Sequence, residues 1–370
     1  MAVNYQNRLQ KLRDRRSPFA TVATEALSKS LVGRALQEKF ETQAEGVATR
    51  YALGCMEALP SRYTEISFQE GERVANQLKN SLPANMPIET RIQGSLALDI
   101  HIKASSDVDL LVLAKWFLTY DPQPAAGQVS YTTLPFFSTL DGLQRLRTAS
   151  YLTLCDKFPA VHVDNSKPKA ITMSGGSLAR KIDVVPSHWH DTASYQQNPE
   201  VEALRGVKIL DNSAPTAILN LPFLHIALIN RKDQATGGHA KRAIRLLKCL
   251  SRDAEVELSL SSYDIAGLVF HMDNNVLNVN QFTPLQLLNR VEVYLRSLEE
   301  NSMLAINLDT PDNTRKILNE ASKFRDICSL RREVGELIQA VAAECEPLTK
   351  LYPATPSIAQ AALDRKRIFS

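Results

Sequence analysis

Strand-like patterning in this chain stops at Pro222, and nothing after it brings the pattern back. Between Met86 and Leu113, Ile88, Ile92, Leu96, Leu98, Ile100 and Ile102 lead into the unbroken apolar run Leu110-Leu111-Val112-Leu113. These are strand signals with a short helix or turn between them. Val161-His162-Val163 and Ile182-Asp183-Val184-Val185 are further candidate strands, and Pro186 is expected to close the second because it lacks the N–H of a ladder residue. From Ala20 to Leu82, Ser138 to Phe158 and Phe223 to Leu348, apolar residues instead recur three and four apart, the spacing of helices. At 370 residues the chain also exceeds what one hydrophobic core usually supports. The expected architecture is an α/β lobe of the α+β kind with a small mixed sheet, an all-helical C-terminal lobe, and a central cleft in a bilobal molecule. Residues 1–222 would hold the N-terminal helices and the sheet core, with those helices running along both lobes. Residues 223–349 would form the helical lobe, and 350–370 a loosely held tail.

The charge sum narrows the function. With 43 Lys and Arg against 40 Asp and Glu, the net charge is +3, which argues against strong nucleic-acid binding. The longest apolar run, Leu110 to Leu118, is interrupted by Lys115 and is too short to cross a bilayer, so no membrane association is expected. Met1 to Arg16 is polar and carries no secretory signal. The five cysteines are scattered and form no Cys-x-x-Cys pair, as in a reduced, cytoplasmic protein.

The chemistry is concentrated between Arg91 and Leu113. Gln93-Gly94-Ser95 follows a predicted strand and offers backbone N–H groups and one hydroxyl at a chain turn, donors suited to phosphate oxygens. Asp107 and Asp109 follow, and at a strand period of two their carboxylates share a face. Crowded carboxylates repel unless a cation sits between them, and Mg²⁺ is the natural guest. Asp183 is a third acid inside an otherwise apolar strand, where its cost calls for a partner. Each element alone has a bland explanation: a solvated turn, an edge-strand charge, a loop dipeptide. Their combination and order favour a site that holds two Mg²⁺ ions, with Mn²⁺ as a substitute, and supports an in-line displacement.

In these residues the chain resembles the polymerase-β-like nucleotidyltransferases, and its size and helical C-terminal half are similar to the cyclic GMP-AMP synthase and oligoadenylate synthetase branch, in particular the bacterial CD-NTases. The resemblance implies templateless transfer of a nucleoside monophosphate from a nucleoside triphosphate, ATP among them, onto a ribose hydroxyl. Repetition and ring closure would give a cyclic oligonucleotide second messenger, of the CBASS type used in anti-phage defence. It implies Asp107, Asp109 and Asp183 as catalytic metal ligands and Gln93, Gly94 and Ser95 as nucleotide contacts. No His and Cys cluster matches the zinc insertion of the animal sensors, so activation by DNA through such an element is not expected; a regulatory protein partner is left open.

The resemblance extends into the second lobe. Lys241, Arg245, Lys248 and Arg252 form one stripe of a helix, with Ala243, Ile244, Leu246, Leu247 and Leu250 on its other side. For most of these charges the expectation is a solvated face. Ser261-Ser262-Tyr263 opens the next helix. The resemblance to the animal enzymes implies that Lys248 contacts the triphosphate, Ser262 hydrogen-bonds it and Tyr263 stacks on a base; a core role for Tyr263 is the alternative. Poly(A)- or CCA-adding polymerases and small-molecule nucleotidyltransferases share the three carboxylates and remain rival readings. A non-catalytic partner-binding module of the same fold is a third rival, weakened because all three acids are present.

Overall fold

The computed structural model describes residues 3–16, 38–102, 107–122, 129, 131, 137–346 and 355–369. The part of the predicted N-terminal helical stretch from Ala20 to residue 37 lies outside them. The chain forms two compact units, one comprising Pro60–Asp99 and Ser105–Leu228, the other Met1–Leu59, Ile100–Ala104 and Ile229–Ser370.

The first unit is built on a seven-stranded mixed sheet. Its strands are β1 (Ile88–Gln93), β2 (Val108–Tyr120), β3 (His162–Asp164), β4 (Ile171–Ser174), β5 (Ile182–Asp191), β6 (Gly206–Asp211) and β7 (Thr216–Asn220). The order is β1-β2-β5-β4-β3, with β6 also pairing β5 and β7 pairing β6. Only β2 and β5 run parallel; every other pair is antiparallel.

The apolar run in β2 reflects burial on both faces, the condition under which a strand loses its polar alternation. Leu110 and Val112 pack with Val74 and Leu78 of the helix Ser61–Ser81 and with Leu143 and Leu146 of the helix Thr139–Lys157. Leu111 and Leu113 face the other way, into a smaller cluster with Val185, Trp189 and Val207. Gly71 lets the first helix lie close to the sheet, since a Cβ there would stand 3.0 Å from Ile92 Cδ1 and 3.1 Å from Val108 Cγ1.

Pro186 does not close β5, which continues to Asp191. On one side of β5 the pairing with β4 ends at Val184 and that with β6 begins at Ser187. Pro186 sits in the gap, where no partner on that side needs its N–H. Strands β4, β6 and β7 went unrecognised in the sequence because they are short and interleaved with polar residues.

Continuation of β5 buries His188 completely. One ring nitrogen, Nδ1, lies 2.8 Å from the Trp189 carbonyl oxygen, and the ring packs 4.8 Å from that of Phe117. Burial pulls its pKa down to about 4, helped by Lys208 and His190. An unfolded imidazole takes up its proton near pH 6.5 while the folded one resists until about 4, so protonation favours unfolding across that window. His188 should therefore contribute a loss of up to about 3 kcal/mol as pH falls from 6.5 to 4. Urea unfolding of wild type and His188→Gln at pH 7 and pH 5 measures this. The wild type should lose more stability between the two pH values than the variant.

The second unit is helical. Its main elements are the helices Tyr5–Arg16, Val47–Met56, His239–Asp253, Ser262–Phe270, Gln286–Glu300, Ala321–Cys345 and Pro356–Arg365. The helix Pro222–Ala235 carries the chain into it. The N-terminal residues, expected in one block with the sheet through residue 222, belong here instead up to Leu59. Leu9, Leu12, Phe40 and Tyr51 are buried, and two ion pairs tie the segment to distant helices. Arg8 meets Glu333 at 2.6 Å, and Arg15 forks onto Asp253, whose Oδ2 also accepts from the Tyr51 hydroxyl at 2.8 Å.

The expected loose tail is also corrected. Pro356–Arg365 packs against Gln286–Glu300 and Ala321–Cys345, burying Ala359, Ala362 and Leu363. Two small alanines allow close approach. Asn289 Nδ2 donates to the Gln360 carbonyl and to Asp364 Oδ1, both at 2.9 Å, and the Ile368 N–H donates to the Phe282 carbonyl at 2.8 Å.

Candidate functional site

The strand register determines which carboxylates meet. In the parallel pair β2/β5, Asp109 lies opposite Asp183 and Val108 opposite Ile182. One step earlier the Val108 N–H donates to the Lys181 carbonyl at 3.0 Å, which continues the alignment to Asp107 and Lys181. On the other side, β1 ends with Gln93 opposite Asp109. The next residue, Gly94, turns the chain with φ of +72° into the short helix Gly94–Ala97. A Cβ at Gly94 would lie 2.3 Å from Asp109 Oδ2, so the turn presses its backbone against that carboxylate.

Side-chain parity sets the face. Asp107, Asp109, Leu111 and Leu113 share one side of β2, and Asp183, Val185 and Trp189 share the matching side of β5. This is the side of the smaller cluster, opposite the helices Ser61–Ser81 and Thr139–Lys157. The acids thus stand at the start of their strands, beyond the end of a packed apolar layer.

Their electrostatics follow from that placement. Burial pushes the Asp109 carboxyl up to about 7, and the nearby Asp183 and Asp107 push in the same direction against Lys181 and Lys167. Asp107 is paired with the ammonium of Lys181. Burial works to lower the Lys181 pKa, but its hydrogen bond and attraction to Asp107 prevail and raise it. Asp183 Oδ1 accepts from the Thr172 hydroxyl at 2.6 Å, and Lys167 Nζ lies 3.4 Å from its Oδ2. Among the described residues, no three or more His, Cys, Asp or Glu side chains are gathered closely enough to hold a metal. Asp107 and Asp183 point to lysines in this arrangement.

The donor set nevertheless fits a hard divalent cation. All three candidates offer carboxylate oxygens, and Asp109 is disfavoured as an anion first by its burial and then by the charges of Asp183 and Asp107. Both effects are relieved by a cation among the oxygens. Lys167, Thr172 and Lys181 were missed in the sequence, although Lys181 carried a usable signal: it precedes Asp183 by one strand period.

Lys248, Ser262 and Tyr263 belong to the helical unit. The stripe expected to be solvated is partly buried, because its helix packs against Val47–Met56, Ser262–Phe270, Gln286–Glu300 and Ala321–Cys345. Buried cations there need acceptors. Arg245 Nε donates to the Met56 carbonyl at 2.8 Å, and Lys248 Nζ to the Ile100 carbonyl at 2.7 Å. Lys241 is half-buried and Arg252 exposed.

Ser261 caps the next helix in a reciprocal box with Asp264, and Ser262 is exposed at its first turn. Tyr263 is half-buried. Its hydroxyl donates to Asp312 Oδ2 at 2.6 Å, and the Arg315 guanidinium lies 5.7 Å from its ring centre.

No protein-family model matches the chain. It is 40% identical over 314 residues to a cyclic dinucleotide synthase CdnE of Yersinia aleksiciae, a likeness spanning 84% of this chain and 81% of that protein. Among solved structures, a STING-associated CdnE c-di-GMP synthase from Capnocytophaga granulosa matches with a TM-score of 0.70 at 25% identity, covering 90% of this chain and 97% of that one. A STING-associated CdnE c-di-GMP synthase from Flavobacteriaceae sp. shares the fold with a TM-score of 0.72 at 22% identity, over 91% and 98% of the two chains. No helix among the described residues is long and apolar enough to cross a membrane.

Proposed function

This chain belongs to the bacterial CD-NTase family of cyclic dinucleotide synthases, and from that premise we propose that it joins two nucleoside triphosphates into a cyclic dinucleotide at Asp107, Asp109 and Asp183. It is a nucleotidyltransferase. The observation that carries the site assignment is the register: Asp109 faces Asp183 across β2/β5 and Gln93 across β1/β2, immediately before the Gly94 turn.

In this reading the three carboxylates hold two Mg²⁺ ions, with Mn²⁺ as a substitute. When bound, these ions neutralise charge on the attacking and leaving oxygens of an in-line displacement. The remaining work belongs to the chain. Gln93, Gly94 and Ser95 present donors to the triphosphate of the donor nucleotide. Gly94 has no side chain, so the backbone can close on both the phosphates and Asp109. Asp183, held by Thr172, orients the acceptor ribose hydroxyl and draws off its proton. Lys248, Ser262 and Tyr263 of the helical unit are proposed as further nucleotide contacts, on the likeness of their sequence element alone. A second-messenger role in CBASS-type defence, exercised in the cytoplasm, is part of the same proposal.

Incubating the purified chain with all four nucleoside triphosphates and Mg²⁺, then weighing the products by mass spectrometry, tests the reading. Cyclic dinucleotides should appear, and omitting one triphosphate at a time should identify the bases used. A long homopolymer tail would instead favour a tailing polymerase. Absence of any nucleotide product would overturn the assignment.

A further inference from the structure

Lys181 pairs with Asp107 and Lys167 with Asp183, and each lysine is placed by a defined element of the fold. Lys181 immediately precedes β5, where its carbonyl accepts from the Val108 N–H at 3.0 Å, and its ammonium pairs with Asp107. Lys167 lies in the connection between β3 and β4. That connection is fixed at its start by an Asx turn, the Ser166 N–H donating to Asp164 Oδ1 at 2.8 Å. Beneath it lies Arg147, buried to 3% exposure. Its guanidinium donates to Asn165 Oδ1 and to the carbonyls of Asn165, Lys167, Pro168 and Ala170. A buried arginine used entirely on one loop's acceptors rigidifies that loop, and the loop's charged side chain aimed at the site is Lys167.

We propose that Lys181 and Lys167 are the resident counter-cations of the carboxylate site, holding Asp107 and Asp183 whenever no metal is bound there. The inference rests on the reading of these acids as metal ligands and adds how their affinity is set. Metal uptake requires Asp107 to leave Lys181 and Asp183 to leave Lys167, so each lysine competes with the metal for its carboxylate. The competition keeps the three acids from repelling one another in the empty site and weakens metal binding in the absence of nucleotide. Both lysines are about two-fifths exposed, which keeps the ion pairs weak enough to exchange.

Mn²⁺ binding to the full chain without nucleotide, followed by the electron paramagnetic resonance signal of free Mn²⁺, tests this. Lys181→Gln should bind Mn²⁺ about fivefold more tightly than wild type, the factor expected from losing one half-exposed ion pair. Lys167→Gln should show a smaller gain, because its pair is longer. Lys181→Arg, which keeps the charge, should bind as wild type does. Lys169→Gln removes a charge from the same loop but pairs with Asp211 at 3.9 Å, and should leave the affinity unchanged.

Circular dichroism spectra establish that each variant is folded. If wild type binds too weakly to measure while Lys181→Gln binds, the proposal stands. If Lys181→Gln binds no tighter than wild type, if neither binds, or if Lys169→Gln gains as much, it is overturned. Because no nucleotide is present, these results are independent of whether wild type makes a cyclic product.

Discussion

Asp109→Asn should abolish nucleotidyl transfer while leaving the protein folded. Asp109 is the acid at the middle of the site, facing Asp183 on one side and Gln93 on the other. An amide keeps its shape and removes the charge a divalent ion needs. Several kcal/mol of transition-state stabilisation go with the metal, so turnover should fall by about a thousandfold or more. Asp107→Asn should do the same, and Asp183→Asn nearly so. Stability should move the other way. Burial and two neighbouring carboxylates already disfavour the charged form of Asp109. Without Mg²⁺, the neutral amide should raise the melting temperature by roughly 2–4 °C, the shift that about 1 kcal/mol gives a unit of this size. A variant that is both inactive and markedly less stable would show that Asp109 is a structural residue.

Gly94→Ala should cripple activity although it adds only one methyl group. Its φ of +72° is one that side chains rarely adopt, and the added methyl would lie 2.3 Å from Asp109 Oδ2. Backbone strain alone costs about 1 kcal/mol or more. The clash must then be relieved either by turning the Asp109 carboxylate or by moving the Gln93–Ser95 turn. Either route displaces a proposed metal ligand or a proposed phosphate donor, so activity should drop at least about a hundredfold, on the scale that a misplacement of 1 Å costs. The chain should still fold, since the strain is local. Steady-state turnover beside a melting curve separates the two effects. Activity within a few-fold of wild type would mean that the turn does not touch the reacting groups.

The carboxylates were legible in the sequence because two independent signals converge on them. A strand period of two puts Asp107 and Asp109 on one face, and the apolar run after them indicates that the strand is buried. Asp183 stood out as a charge among apolar neighbours. The lysines that hold these acids were harder to read. The spacing of Lys181 from Asp183 hinted at a shared face, but its pairing with Asp107 follows only from the parallel register of β2 and β5. Lys167 depends on a loop that Arg147 secures from another element.

The same limit explains the misplaced N-terminal segment and tail. Arg8 pairs with Glu333 across 325 positions of sequence, and no local pattern reveals such a contact. The helix Pro356–Arg365 is anchored through Ala359, Ala362 and Leu363, a small face that reads as a weak one until its neighbours are known. The cationic stripe of His239–Asp253 had the right period, but period alone cannot say that helices would cover it.

The central claim, templateless ring closure at the paired aspartates of β2 with Asp183, is tested most directly by counting pyrophosphate against the triphosphate consumed and treating the product with alkaline phosphatase. Ring closure releases a pyrophosphate for every nucleotide joined and leaves no terminal phosphate. The account therefore predicts equal amounts of pyrophosphate formed and triphosphate consumed, a phosphatase-resistant product, and neither activity in an Asp107→Asn, Asp109→Asn double variant. Release of inorganic phosphate in place of pyrophosphate, a product whose terminal phosphates the phosphatase removes, or normal turnover in the double variant would contradict it.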